Sequence, residues 1–213
     1  MPPAPRRRLA VTIAVVLGGL VLALAAALVL SPALVGLADG LRALGGAGVD
    51  TPDEAVERRA ERVPADAQAA VVDRVVDGDT IRVTVEEPGG AIAATDSVRV
   101  RLLNVDAPEL DHPDRGEDCG ATEATAFVEA LVPPGSTVHL AADVEDRDVY
   151  DRPLRGVWNE HGVFVNGELV LAGWAEVVLF PPNDRFHARL LPLETQARAE
   201  SRGAWAVCDG FPP

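Results

Sequence analysis

Val76-Asp77-Gly78-Asp79-Thr80, followed by Val98-Arg99-Val100-Arg101-Leu102-Leu103-Asn104-Val105-Asp106-Ala107-Pro108-Glu109, is the part of the sequence that decides the fold. Val71 to Val76 and Ile81 to Val85 are β-branched runs on either side of Asp77-Gly78-Asp79, a tripeptide suited to a hairpin tip or bulge. Val98 to Val105 alternates in the same way, with Arg99 and Arg101 between Val98, Val100 and Leu102, and ends at Asp106-Ala107-Pro108-Glu109. Carboxylates therefore gather at the ends of neighbouring strands. Calcium takes roughly six to eight oxygen ligands, so Asp79, Asp106 and a carbonyl near Ala107 suit an open site that leaves room for water and a phosphate oxygen. Glu109, three residues beyond Asp106, is close enough to orient or deprotonate a metal-adjacent water. Singly, Asp-Gly at a hairpin and Asp-x-Pro at a strand end are ordinary turn chemistry. Their combination in this order is more specific.

Further motifs extend the pattern: His112-Pro113, Asp148-Val149-Tyr150-Asp151-Arg152, Val165-Asn166, Glu194-Thr195-Gln196-Ala197 and Gly203-Ala204-Trp205. With these, the chain from Ala69 to Ala206 resembles the staphylococcal nuclease (thermonuclease) family. The resemblance implies an α+β protein, an OB-fold with a five-stranded β-barrel and three packed helices, that cleaves phosphodiesters of DNA and RNA with Ca2+. It implies Asp79 and Asp106 as metal carboxylates with the carbonyl of Ala107, Glu109 as general base or water organiser, and Arg101 and Arg152 as binders of the scissile phosphate. It also implies that Tyr150 hydrogen-bonds a neighbouring phosphate. Arginine suits the phosphate role because its planar fork stays protonated and bonds two oxygens at once. Ala107 stands where the best-known member has threonine, which leaves the carbonyl available. Val178 and Phe180 stand where that member has tyrosines in the base pocket, and Phe180 retains a ring that can stack on a base. Asp114 and Arg115 occupy a loop position where a lysine pair would attract nucleic acid.

The remaining elements follow from periodicity and stop signals. Ala121 to Leu131 reads as the first helix, stopped by Pro133-Pro134-Gly135. Thr137 to Ala141 and Leu154 to Trp158 read as strands, Asn166 to Gly173 as a short helix and Arg185 to Arg202 as the last helix, with a kink or restart expected at Pro192. Leu190, Leu193 and Ala197 are expected in the core, and Asn166 and Trp205 are read as structural anchors.

The 19 basic residues, all arginine, face 33 acidic ones, for a formal charge of -14. A protein gripping long duplex DNA ordinarily shows a basic face, so the global charge opposes association, while local charge at Arg101, Arg152 and a bound metal still acts at short range. Two cysteines, Cys119 at the opening of the first helix and Cys208 after the last, suit one disulfide that pins the C-terminus to the barrel. They lack the paired spacing of a zinc site.

The N-terminus is a separate module. After residues 1–8, with Arg6-Arg7-Arg8, Leu9 to Leu30 carries no charge and is long enough to cross a bilayer core of about 30 Å. The arginines predict a cytoplasmic N-terminus and an extracytoplasmic domain. A cleaved signal peptide, with Gly36-Leu37-Ala38 as the cut site, is the alternative and leads to secretion. Residues 31–68 read as a linker, 69–208 as the nuclease domain and 209–213 as a tail. The expected protein is a membrane-anchored, monomeric, calcium-dependent nuclease acting on single-stranded DNA or RNA. The competing class is a non-catalytic OB-fold module that binds nucleic acid or protein. The joint presence of Asp79, Arg101, Asp106, Glu109 and Arg152 favours catalysis.

Overall fold

The computed structural model describes residues 59–85, 92, 97–111, 113–114, 116–208 and 211. All belong to a unit spanning Thr51–Pro213 that is distinct from Met1–Asp50. The expected membrane span, the tail's last residues, His112 and Arg115 lie outside the described residues. Among the described residues no helix is long and apolar enough to cross a membrane.

Alternation builds the sheet as expected. Strands β1 (Gln68–Val75), β2 (Thr80–Thr84), β3 (Val98–Leu102), β5 (Thr137–Ala141) and β6 (Leu154–Asn159) close a barrel in the order β1-β2-β3-β6-β5. Every pairing is antiparallel except β3 with β6, where Arg101 lies opposite Leu154 and Leu102 opposite Arg155. Val72, Ile81, Val83, Val100, Leu102, Val138, Leu140 and Val157 fill the interior. Such residues each stabilise by about 1.5–3 kcal/mol when fully buried. A register irregularity between Val72 and Arg74 turns Asp73 outward, where its carboxylate accepts bonds from Thr84 and Ser97.

The expected single strand from Val98 to Val105 is divided. Asn104 has φ of 62° and turns the chain, so Val105–Asp106 forms a separate strand β4 paired with β7 (Glu176–Val177). The asparagine's own amide donates to Asn183 O at 3.0 Å, a long-range reward invisible in local sequence.

Helix α1 (Ala121–Leu131) starts after Gly120 and buries Ala121, Ala124 and Val128. Cys119 precedes it rather than opening it. Helix α2 (Val165–Leu171) ends earlier than expected, because Gly173 at φ of 78° turns its amide to Val170 O while Trp174 N bonds Leu169 O. Helix α3 (His187–Ala199) starts late, because the Arg185 amide is taken by Asp143, and ends early, where Arg202 N turns back to Ala197 O. It passes through Pro192 without interruption, losing only the bond that a proline nitrogen cannot donate. Leu190 and Ala197 are buried and Leu193 packs on the core, as expected. A short unexpected helix, α4 (Ala204–Val207), follows. It is seated by Ala204 N bonding Gly173 O at 2.8 Å, and a Cβ on Gly203 would lie 2.5 Å from that same oxygen.

Trp158, Phe164 and Phe186 join β6, α2 and α3, with ring centroids 4.6–5.7 Å apart. Trp158 donates to Glu61 at 2.7 Å, and Glu61 N bonds Gly162 O at 2.9 Å, so the end of the expected linker lies on the barrel. Asn166 is wholly buried, accepting from Val157 N and donating to Leu103 O and Arg155 O.

Cys119 and Cys208 form the expected disulfide, 89 residues apart in sequence. Replacing both by serine should lower stability by about 2–4 kcal/mol, read as a shift in the urea unfolding midpoint, with the barrel's circular dichroism retained.

Candidate active site

The turn after β1 brings the first carboxylates into place. Asp77 Oδ1 accepts the Asp79 amide at 3.1 Å, an Asx-type closure that fixes the loop. A Cβ on Gly78 would lie 2.7 Å from the Ala107 Cβ and 2.9 Å from the Ala124 Cβ. Only hydrogen fits between the turn, the Ala107 segment and α1.

Asp79, 3% exposed, is the most enclosed acid here. Its Oδ1 accepts from the Thr80 hydroxyl at 3.1 Å, and its Oδ2 accepts the Ala107 amide at 2.9 Å and Arg101 Nη2 at 3.0 Å. Arg101 is 7% exposed although alternation would allow it to face solvent. Its Nη1 donates to Leu102 O at 2.7 Å and Val105 O at 2.6 Å, and its Nη2 also reaches Asp106 Oδ1. One guanidinium thus joins the ends of β2, β3 and β4. Glu109 follows on an exposed turn clasped by Asp118, whose carboxylate accepts the Glu109 amide at 3.1 Å.

The opposite wall comes from the loop between β5 and β6. Asp148 Oδ1 accepts the amides of Tyr150 and Arg152, both at 2.9 Å, while Oδ2 takes Arg152 Nε at 2.6 Å. Arg152 is thereby aimed with its terminal nitrogens toward the groove, Nη1 lying 3.5 Å from the Thr80 hydroxyl. The Arg152 guanidinium sits 5.4 Å from the ring of Tyr150, which is 77% exposed. The loop is tied at its base by buried Arg155, which bonds Asp146 Oδ1 at 2.6 Å and Asp146 O at 3.1 Å. Asn183 holds it from the other side, through Glu145 N at 2.8 Å and Glu145 O at 3.1 Å.

A groove of about 540 Å³ runs between these walls, lined by Arg101, Asp106, Glu109, Tyr150, Arg152 and Phe180. Asp79 and Ala107 support its floor through the bonds to Arg101 and to each other. All eight residues expected from sequence therefore come together. Phe180 lies against Arg101, ring centroid to guanidinium 5.8 Å, and Leu179 rather than Val178 accompanies it along the groove.

The acids perturb one another. Burial and then the Asp79 charge raise Asp77 to about 7. Burial raises Asp106 against the pull of Arg101, and burial followed by the Asp79 charge raises Glu109. Asp148 goes the other way: burial would raise it, but bonds from the Arg152 backbone and side chain outweigh that and hold it low. A cluster of anions with raised values gains from a cation, and its donors are all oxygen, the ligand type of hard divalent ions. Asp79 and Asp106, brought together on Arg101 Nη2, supply two such carboxylates. Among the described residues no group of three or more His, Cys, Asp or Glu side chains is placed to hold a metal ion by itself.

Sequence reasoning missed Asp148, Asp118, Arg155 and the Asn104–Asn183 pair. Asp148 had a signal in its position four residues before Arg152. Arg155 had one as a lone charge inside an apolar strand. Asp118 and Asn183 act through backbone groups and carry no local mark.

The model of the family described as staphylococcal nuclease homologue matches residues 99–207. The chain belongs to the staphylococcal nuclease family. It is 37% identical over 150 residues to an uncharacterized endonuclease of Escherichia coli O157:H7, covering 70% of this chain and 84% of that one. It is 30% identical over 138 residues to the thermonuclease of Staphylococcus intermedius, covering 65% and 76% respectively. It is also 30% identical over 142 residues to endonuclease YhcR of Bacillus subtilis (strain 168), covering 63% of this chain and only 11% of that longer protein. As a member of this family the chain is a nuclease, a hydrolase of phosphodiester bonds with a nucleic-acid substrate.

Two outcomes test the geometry. Gly78→Ala should separate Asp79 from Ala107, costing about 1–3 kcal/mol of stability and cutting cleavage by about 100-fold in a steady-state assay. Asp148→Asn should lower cleavage by at least about 10-fold by releasing Arg152. Because Asp148 titrates below its ordinary 3.8 when folded, its contribution is present above that pH and lost as pH falls through the folded value. The melting-temperature gap between wild type and Asp148→Asn should accordingly close in acid.

Proposed function

We propose that this nuclease is calcium-dependent and cleaves single-stranded DNA or RNA outside the cytoplasm. The observation that carries this reading is the Arg101 guanidinium held between Asp79 and Asp106 on one wall of the groove, facing Arg152 and Tyr150 on the other. Asp79, Asp106 and the Ala107 carbonyl would hold Ca2+, which when bound polarises a phosphate oxygen and lowers the pKa of a coordinated water.

The chain's own groups supply the rest. Glu109 takes the proton of the attacking water, and burial beside Asp79 strengthens it as a base by raising its pKa toward the working pH. Arg152, with Nε committed to Asp148, offers its terminal nitrogens to the scissile phosphate and stabilises charge that grows at the transition state. Arg101 neutralises the carboxylate pair and contributes positive potential at the same phosphate. Tyr150 donates its hydroxyl to the neighbouring phosphate, and Phe180 offers its face to a base. An exposed tyrosine and a groove that carries the Phe180 ring favour single strands, whose bases are free to stack.

Extracytoplasmic placement is supported by the Cys119–Cys208 disulfide and by Arg6-Arg7-Arg8 before the uncharged run Leu9 to Leu30. In this reading residues 9–30 anchor a monomer at the cell membrane; removal of the segment as a signal peptide would release the same domain.

The test is cleavage of single-stranded DNA and RNA with calcium or EGTA, comparing wild type with Glu109→Gln and Arg152→Ala. Each substitution should reduce kcat by about 100-fold or more with unchanged circular dichroism, and EGTA should abolish turnover. Full activity in EGTA would reject the metal. A folded protein that binds oligonucleotide without cutting it would make this a binding module.

A further inference from the structure

Most of the described arginines are ion-paired. Of the thirteen described, nine form ion pairs: Arg59, Arg101, Arg147, Arg152, Arg155, Arg185, Arg189, Arg198 and Arg202. Three of the other four, Arg74, Arg82 and Arg99, stand side by side. Arg74 pairs in register with Arg82 on β1 and β2, and Arg82 with Arg99 on β2 and β3. They occupy the outer face, since Val72, Ile81, Val83 and Val100 beside them point inward. Neighbouring strands lie about 4.8 Å apart, so three positive side chains form a row across three strands.

Like charges placed directly across a sheet oppose each other, and this chain has acids in excess to intersperse. It does not do so here. Asp73, next to Arg74 in sequence, is occupied by the hydroxyls of Thr84 and Ser97. Among the described residues Arg74 and Arg99 have no hydrogen-bond or ion-pair partner, and Arg82 donates only Nη1, to Ser97 O at 3.1 Å, leaving its Nε buried without a partner there. An enclosed donor without an acceptor is costly unless a ligand supplies one.

The row also leads somewhere. Arg99 lines a second groove, of about 630 Å³, together with Glu109, Arg147, Tyr150 and Arg152. The catalytic wall and the arginine row are thus continuous, around the side of Tyr150 away from Phe180. We propose that Arg74, Arg82 and Arg99 form an auxiliary track for the phosphate backbone of a single-stranded nucleic acid, extending the substrate site outward from the scissile position across β3, β2 and β1. An anionic membrane surface is less suited to a narrow row that ends in a substrate groove. The inference rests on the nuclease reading for the direction in which the strand runs.

The track predicts a dependence on substrate length. Full-length protein in neutral detergent would be titrated with fluorescent oligothymidylates of two and about twelve nucleotides, the latter within the span an OB barrel covers, by anisotropy across a salt series. For Arg74→Gln/Arg82→Gln/Arg99→Gln, affinity for the twelve-mer should fall by about 10-fold or more. Its salt dependence should flatten by about two log units per log unit of salt, as expected for three lost phosphate contacts on a single strand. The dinucleotide should bind as before, and cleavage of the twelve-mer should show a raised KM with unchanged kcat. Arg99→Gln alone should move in the same direction without disturbing the fold, while Arg62→Gln, exposed and equally unpaired, should change nothing. Equal losses for both lengths, or none for either, would overturn the proposal. So would lost binding to phosphatidylglycerol vesicles with oligonucleotide binding intact. If wild type binds but never cuts, and the length-selective loss persists, the track stands and the nuclease reading fails.

Discussion

Everything in this site depends on one buried cation. Arg101 cannot leave its place between Asp79 and Asp106 without leaving a nearly solvent-free carboxylate unpaired, a loss of about 3–5 kcal/mol for comparable buried pairs. The same side chain bonds the carbonyls of Leu102 and Val105, so it also fixes the turn at which β3 becomes β4. Stability and chemistry therefore meet in one group. The acids can stay close enough to perturb one another because a charge of opposite sign is built in among them.

The second wall is organised on a different principle. Tyr150 is exposed and Arg152 half-buried, and rigidity is supplied from behind: Asp148 fixes the turn, Arg155 its base and Asn183 its flank. Asn183 is in turn held by Asn104, whose left-handed backbone also starts β4. The loop carrying Phe180 and the loop carrying Tyr150 thus share a support made of side-chain-to-backbone bonds.

What could be read beforehand divides along these lines. The barrel strands and α1 were legible because their periodicity is local and their stops are proline or glycine. The eight expected residues were read from family motifs; six of them line one groove, and Asp79 and Ala107 lie beside it, bonded to each other. Arg101 shows the limit of periodicity: its place in the alternation gives no hint that it is buried, since two carbonyls and a carboxylate pair drew it in. Asn104 broke an apparently continuous strand for partners some seventy residues away. The late start of α3 and the existence of α4 depended on Asp143 and Gly173, contacts that exist only after folding.

The order of these parts along the chain has its own consequence. Asp79, Arg101, Asp106 and Glu109 all precede Cys119, whereas Tyr150, Arg152 and Phe180 lie inside the loop that the disulfide closes. The two sets meet along the barrel's single parallel seam, where β3 takes β6 as its neighbour. A nascent chain that has emerged only as far as α1 holds the acids and Arg101 but lacks Tyr150 and Arg152. Both walls of the groove are consequently in place only after β6 has been delivered, when the barrel is nearly whole.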